Sequence, residues 1–120
     1  MPMRGLTLVV ATPECVRGAL ELAAAQAALG GRARLFAQGP AVAALALPMR
    51  ATHDDDYVAA GLPTLRELCE EAIGLGVSLI ACQSGMHLMG IDMLLLDPRI
   101  EVGGLVSLLQ TLDEDRLLRT

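Results

Sequence analysis

The sequence predicts an α/β protein built on a parallel β-sheet, and three observations lead to this fold class. Short runs of β-branched residues and leucine show almost no alternation between apolar and polar positions, as expected of strands covered on both faces. Segments with the apolar spacing of helices lie between these runs. Glycine or proline stands at most of the boundaries. Strands that alternate with helices form βαβ crossovers, which produce a parallel sheet.

The chain begins with a predicted strand and a long helix. Leu6–Ala11 forms the strand. Thr12 suits the helix N-cap and Pro13 the first helical position, where a missing N–H is no loss. The helix continues to Leu29, and Gly30–Gly31 ends it. Because this helix is apolar nearly all round, more than its sheet-facing side must be covered, and a subunit interface is one way to cover it.

The next segments are a second strand and a polar region. Ala33–Ala37 reads as the strand, and Pro40–Leu47 as a short helix or helical turn. Pro48–Gly61 is the most polar stretch and predicts an exposed, mobile loop. Its His53–Asp56 run carries groups that attract a hard cation. Because those groups are adjacent rather than spaced as in a calcium loop, a solvated loop is the favoured interpretation.

The second half of the chain returns to alternating helices and strands. Gln83–Gly85 is predicted to be a turn after the third strand. The other predicted elements, in chain order, are a helix from Pro63 to Gly74, strand Val77–Cys82, helix Met86–Leu96, strand Ile100–Val102, helix Gly104–Leu112 and strand Arg116–Arg119.

Composition excludes several function classes. The 120 residues fit one domain spanning 1–120, and the net charge is −5 with arginines scattered singly. Nucleic acid and an anionic membrane surface are therefore disfavoured as partners. No apolar stretch reaches the length of a membrane helix, and the first residues lack the pattern of a signal peptide. Three cysteines without such a segment indicate free thiols and a cytoplasmic location.

Cys82 is the leading candidate for a reactive group. It stands at the carboxyl end of a predicted strand, where functional groups gather in open parallel sheets. The N–H groups and dipole of the following helix favour thiolate there and lower the pKa. His87 adds positive charge if it is protonated and folds back. The alternative for Cys82 is a small buried apolar side chain.

The other two cysteines differ in their predicted surroundings. Cys15 follows the first strand, a position comparable to that of Cys82, and is a secondary thiol candidate. Cys69 falls on the apolar face of its helix and is predicted to be inert. The sequence contains no CxxC pair, and its cysteines and histidines are dispersed, so no metal site is predicted. No phosphate-binding glycine motif follows a strand, and no cofactor is predicted.

The second half of the chain resembles the DsrE/DsrF-like family, especially its DsrE2-type members. The resemblance is carried by Pro63–Leu68, by the segment Gly76–Ile91 with its Ala-Cys-Gln-Ser-Gly-Met-His sequence, and by Ile100–Leu105. It implies a three-layer α/β/α sandwich with a five-stranded parallel sheet. It also implies association into homo-oligomers, trimers or hexamers.

The resemblance further implies a sulfur-relay function, because the family includes cytoplasmic proteins that carry a persulfide on a cysteine matching Cys82. Sulfur donor and acceptor proteins are then its partners. Ser84 and the backbone N–H groups of Gly85 and Met86 are expected to stabilise the charged sulfur, with His87 nearby. One alternative is a non-catalytic oligomeric or ligand-binding protein of the same fold. Another is a peroxidase that uses Cys15 with Cys82 as the resolving thiol.

Overall fold

Five parallel strands form the centre of the molecule in the computed structural model, which describes residues 3–120. The strand order is β4-β3-β2-β1-β5. The strands lie at Leu6–Val10 (β1), Ala33–Ala37 (β2), Ser78–Cys82 (β3), Glu101–Gly103 (β4) and Arg116–Arg119 (β5). All five predicted strands are therefore confirmed, and no bound differs by more than one residue.

Helices connect the strands. They lie at Val16–Ala28 (α1), Asp54–Ala59 (α2), Leu65–Gly74 (α3), Gln83–Met89 (α4) and Leu105–Gln110 (α5), with 3-10 turns at Pro13–Cys15, Gly39–Leu45 and Met93–Leu95. Helix α3 begins with a capping box, in which the Glu67 N–H donates to Thr64 Oγ1 and the Thr64 N–H donates to Glu67 Oε1. This reciprocal pair fixes where the helix starts.

The helices cover both faces of the sheet, which gives an α/β sandwich. The chain steps from β1 to β4 in one direction, so right-handed crossovers place α1, α3 and α4 on one face. Helix α5 precedes the return to β5 and lies on the other face, where Arg34 of β2 donates to the carbonyl oxygen of Leu108. Helix α1 is apolar nearly all round, and α3 packs on it. Part of the apolar surface of α1 that does not face the sheet is therefore covered by α3.

The core lies between the sheet and the larger helical layer. Leu8, Leu35 and Leu79 are neighbours in register on three adjacent strands, and each is at most 1% exposed. Val16 and Leu20 of α1 are fully buried as well. Each such leucine or valine contributes about 1.5–3 kcal/mol when it leaves water, so these aliphatic layers suffice without a large aromatic content.

A buried polar network ties the opposite face together. Thr7 Oγ1 donates to Asp115 Oδ2 (2.8 Å), and Arg34 Nε donates to Thr7 Oγ1 (3.0 Å). Arg34 Nη1 donates to Thr111 Oγ1 (2.7 Å), and the Arg32 guanidinium lies 3.4 Å from Asp115 Oδ2. Burial lowers the pKa of Arg34, and the positive charge of Arg32 lowers it further. Strands β1 and β2, helix α5 and the residue before β5 are thereby joined through charge-assisted hydrogen bonds.

Three sequence-based expectations about local structure are wrong. The stretch from Pro48 to Gly61 contains helix α2, because Asp54 accepts hydrogen bonds from the N–H groups of Ala51 (3.0 Å) and Leu65 (2.9 Å) and so holds both ends of the segment. The expected turn at Gln83–Gly85 is already helical. Helix α4 then ends at Met89 rather than Leu96, because Gly90 adopts a left-handed conformation with φ 65°.

Candidate functional site

Cys82 lies where β3 ends and α4 begins, as its sequence position predicts. It is the N-cap residue of α4, and its Sγ accepts a hydrogen bond from the Gly85 N–H at 3.4 Å. An N–H donor stabilises a sulfur atom more when that sulfur is negatively charged. The expected role of the Gly85 amide thus has a geometric basis.

The Cys82 thiol is less accessible than the sequence suggests. Only 7% of the residue is exposed, and Gly85 and Met86 are buried beside it. Ser84 and His87 are exposed on the outer side of α4. Over residues 3–120, no hydrogen bond joins either side chain to Sγ. The structure therefore places one of the expected stabilising groups, the Gly85 amide, against the sulfur and leaves Ser84 and His87 facing outward.

Close backbone packing explains why the thiol is covered. Helix α4 lies against the 3-10 turn Gly39–Leu45 that follows β2. At their contact, a Cβ on Gly85 would stand 2.6 Å from the Gly39 carbonyl oxygen. Gly39 itself has a left-handed φ of 54°. Two glycines thus bring the two segments together directly above the end of the sheet.

Gly103 is the neighbour of Cys82 on the other side. The two residues are in register between β3 and β4. Since glycine has no side chain, β4 places no side chain beside the thiol at this position. The covering of Cys82 therefore depends mainly on α4 and the segment after β2.

Cys15 is the more accessible of the two candidate thiols. It ends the 3-10 turn after β1 and is half-buried. Hydrogen bonding by the Thr12 side chain, and then by the Thr120 side chain, lowers the pKa of Cys15. Burial and the charge of Glu14 oppose this effect but are smaller. Nothing in the sequence points to Thr120, which reaches this site because β5 pairs with β1 and its N–H donates to the Val9 carbonyl oxygen.

Cys69 lies in the core, as predicted. It is 2% exposed, and burial raises its pKa to about 11, with smaller contributions from Asp97 and Glu70. A thiol with so high a pKa carries almost no thiolate near neutral pH. Cys69 is therefore the internal reference for an unreactive cysteine.

The sheet order bears on the pairing of Cys15 with Cys82. Strands β1 and β3, which lead into these residues, are separated by β2. Two strand spacings amount to about 10 Å, whereas a disulfide needs Cα atoms within about 7 Å. A peroxidase cycle with these two thiols therefore requires loop movement.

Other candidate sites are sparse in the described part of the chain. Residues 3–120 contain no cluster of three or more histidine, cysteine or acidic side chains placed to hold a metal ion. Within the His53–Asp56 run, His53 Nδ1 lies 3.5 Å from Asp56 Oδ2, and both side chains are exposed. No helix in the same range is both long and apolar enough to cross a membrane.

Solved structures with this arrangement of strands and helices are known. The YchN protein from E. coli has a TM-score of 0.75 and 25% identity over 98% of this chain and 100% of its own. MTH1491 from Methanobacterium thermoautotrophicum, a protein of unknown function, has a TM-score of 0.68 and 16% identity over 98% of this chain and all of its own. No curated protein matches the sequence significantly. The family model described as DsrE/DsrF/DrsH-like matches residues 13–117, and the chain therefore belongs to this family.

Proposed function

We propose that this protein carries sulfane sulfur as a persulfide on Cys82. The observation that carries the proposal is the hydrogen bond from the Gly85 N–H to Cys82 Sγ. Membership of the DsrE/DsrF/DrsH-like family supports it. This amide points at the atom that attacks the donor, and it donates more strongly to that atom as the atom gains negative charge.

The relay conserves atoms and electrons at each step. The Cys82 thiolate attacks the outer sulfur of a donor persulfide, the donor S–S bond breaks, and the donor leaves as a thiolate. Cys82 then holds a persulfide. An acceptor thiolate attacks the outer sulfur of that group, takes it, and releases the Cys82 thiolate. No external oxidant or reductant is required.

Access to Cys82 sets a condition on the relay. Because 7% of the residue is exposed, a donor reaches Sγ only when α4 or the Gly39–Leu45 segment shifts. Local opening of these segments is the proposed route, and contact with a donor protein favours it. The exposed side chains of Ser84 and His87, on the outer side of α4, are then placed to meet the donor or the acceptor.

Mass measurement tests the assignment. The reduced protein is incubated with a low-molecular-weight persulfide and its intact mass is recorded. We expect a gain of one sulfur atom in the wild type and in Cys69→Ser, and no gain in Cys82→Ser. A gain that persists in Cys82→Ser refutes the assignment to Cys82.

Cys15 is the second candidate for the same chemistry, because it is half-buried and its pKa is lowered. The variant Cys15→Ser separates the two thiols. A sulfur adduct lost in Cys15→Ser and kept in Cys82→Ser identifies Cys15 as the carrier. Slow labelling of both cysteines, at the rate of Cys69, supports instead a non-catalytic protein of the same fold.

Association of copies of this chain is the second part of the proposal. Three apolar side chains around the end of α4 are each at least 67% exposed: Leu88, Met93 and Leu94. Exposed apolar side chains in such number indicate a surface that a partner covers. Light scattering with size-exclusion chromatography tests this: Leu94→Lys is expected to lower the oligomeric mass. Leu29→Lys, an exposed leucine just after α1, is the matched control, and equal masses for wild type and Leu94→Lys contradict the assignment of the surface.

A further inference from the structure

A cavity of about 500 Å³ lies beside the start of α1. Its walls come from the first turn of α1, from the segment after β2 and from α2. None of the residues of α4 that surround Cys82 lines it. This volume falls within the range of small-molecule sites. The cavity is therefore a separate place at which a compact ligand fits.

The Arg17 guanidinium lines this cavity without hydrogen-bond partners. All three of its nitrogen atoms are buried, and none has an acceptor within residues 3–120. Oε2 of Glu21 lies 3.6 Å from Nε without forming a hydrogen bond, and 54% of that glutamate side chain is exposed, against 11% for Arg17. Buried donors are almost always paired in native proteins, so three unpaired nitrogens on one side chain call for an acceptor.

Tyr57 of α2 contacts the face of this guanidinium. The Arg17 Cζ atom lies 3.5 Å from the centre of the tyrosine ring. This cation–π contact stabilises the positive charge through the ring face and uses none of the N–H groups at the guanidinium edge. The fork of donors is thus unpaired and can bind a planar or tetrahedral oxyanion once it is uncovered.

We propose that the cavity binds a small organic anion whose carboxylate or phosphate oxygens accept hydrogen bonds from Arg17. Arg50 also lines the cavity and adds a second positive charge, whereas two lining carboxylates, Glu14 and Asp54, disfavour a ligand with several negative charges. Ala44 and Leu65 supply apolar wall that suits a short hydrocarbon body. The ligand class is therefore a compact acid of low charge.

Movement of α2 gives the anion its path to Arg17. The nitrogen atoms are covered while the Tyr57 ring lies over them. Helix α2 has six residues and none of them is buried. A segment with so few buried contacts opens at lower free energy than the core does. The ring is thus a displaceable cover over the binding group.

Tyrosine fluorescence reports on this site directly. Tyr57 is the one tyrosine of the chain, and there is no tryptophan. The full-length protein is titrated with butyrate and with inorganic phosphate at constant ionic strength, and with butyramide as the uncharged control. We expect a saturable change with at least one of the two anions and none with butyramide. The two anion arms separate a carboxylate ligand from a phosphate ligand.

Two variants assign the response to the guanidinium. Arg17→Met keeps the aliphatic stem and is expected to bind the anion at least about tenfold more weakly. The exposed Arg116→Met, remote from the cavity, is the matched control and keeps wild-type affinity. If Arg17→Met does not fold, as judged by circular dichroism, Arg17→Lys replaces it and is expected to bind more weakly than wild type. Absence of a wild-type response to both anions, or wild-type affinity in the Arg17 variant that folds, overturns the proposal.

Discussion

Gly85 allows α4 to lie against the segment after β2, and replacing it with alanine tests that contact. The added Cβ would stand 2.6 Å from the Gly39 carbonyl oxygen and 2.9 Å from the Gly39 Cα and nitrogen atoms. These are backbone atoms, which cannot rotate away. Since ordinary contact begins at 3.4 Å, the two segments must separate by about 0.8 Å.

The expected cost follows from two opposing effects. Forcing extra volume into a packed contact costs about 1–3 kcal/mol. Alanine in place of glycine in a helix recovers up to about 1 kcal/mol. We therefore expect Gly85→Ala to lower the free energy of unfolding by about 1–2 kcal/mol, and the melting temperature by roughly 3–10 °C.

Urea unfolding followed by circular dichroism measures this change, with Gly18→Ala as the matched control. Gly18 lies inside α1, and a Cβ there meets nothing within 4 Å. The same substitution at Gly18 is expected to stabilise the protein by about 0.5–1 kcal/mol. Opposite signs for the two variants support the close approach. A Gly85→Ala protein as stable as Gly18→Ala refutes the close approach of Gly85 to Gly39. It also refutes the conclusion that this contact covers Cys82.

Three further predictions concern stability. Thr64→Ala removes the capping box of α3 and is expected to cost about 1 kcal/mol in urea unfolding, with Thr64→Ser close to wild type; equal losses in both variants contradict this. Hydrogen bonding by the Arg99 side chain holds the pKa of Asp97 at about 2, below its ordinary 3.8, so its contribution is present above about pH 4 and is lost as the pH falls towards 2. Thermal melts across that range should therefore show a shallower acid loss for Asp97→Asn than for wild type, and parallel curves refute the assignment. Arg34→Met leaves buried polar groups unpaired and is expected to lower the free energy of unfolding by about 3 kcal/mol, whereas the exposed Arg116→Met should change it by no more than about 0.5 kcal/mol. Similar losses for both variants contradict a stabilising role for the polar network around Arg34.

The strands and the place of Cys82 were predictable because both depend on local sequence. Short apolar runs define β1, β2 and β3, and a residue that directly follows such a run must lie at the carboxyl edge of the sheet. The burial of Cys82 was not predictable. It depends on contact between Gly85 and Gly39, which are 46 positions apart in the sequence and meet only in the folded chain.

Helix α2 has a start signal in the sequence, but the polarity around it points to a loop. Three aspartates in its first turn are typical of a helix start. The polarity of the surrounding stretch favoured a loop instead. What decides the outcome is Asp54, whose carboxylate accepts N–H groups from Ala51 and from Leu65, and this second bond reaches across the segment. No motif singles out Arg17 either, because its lack of partners is a property of the packed structure.

The position of Asp115 has a consequence for strand alignment. All four residues of β5 are exposed, and a strand without a buried face has little in its own side chains to specify which residue it pairs with. Asp115, directly before the strand, is bound by Thr7 and lies near both Arg32 and Arg34. A slip by one residue would move this carboxylate about 3.3 Å along β1 and away from all three groups. The alignment of Leu6 with Arg116 is thus set by a charge outside the strand.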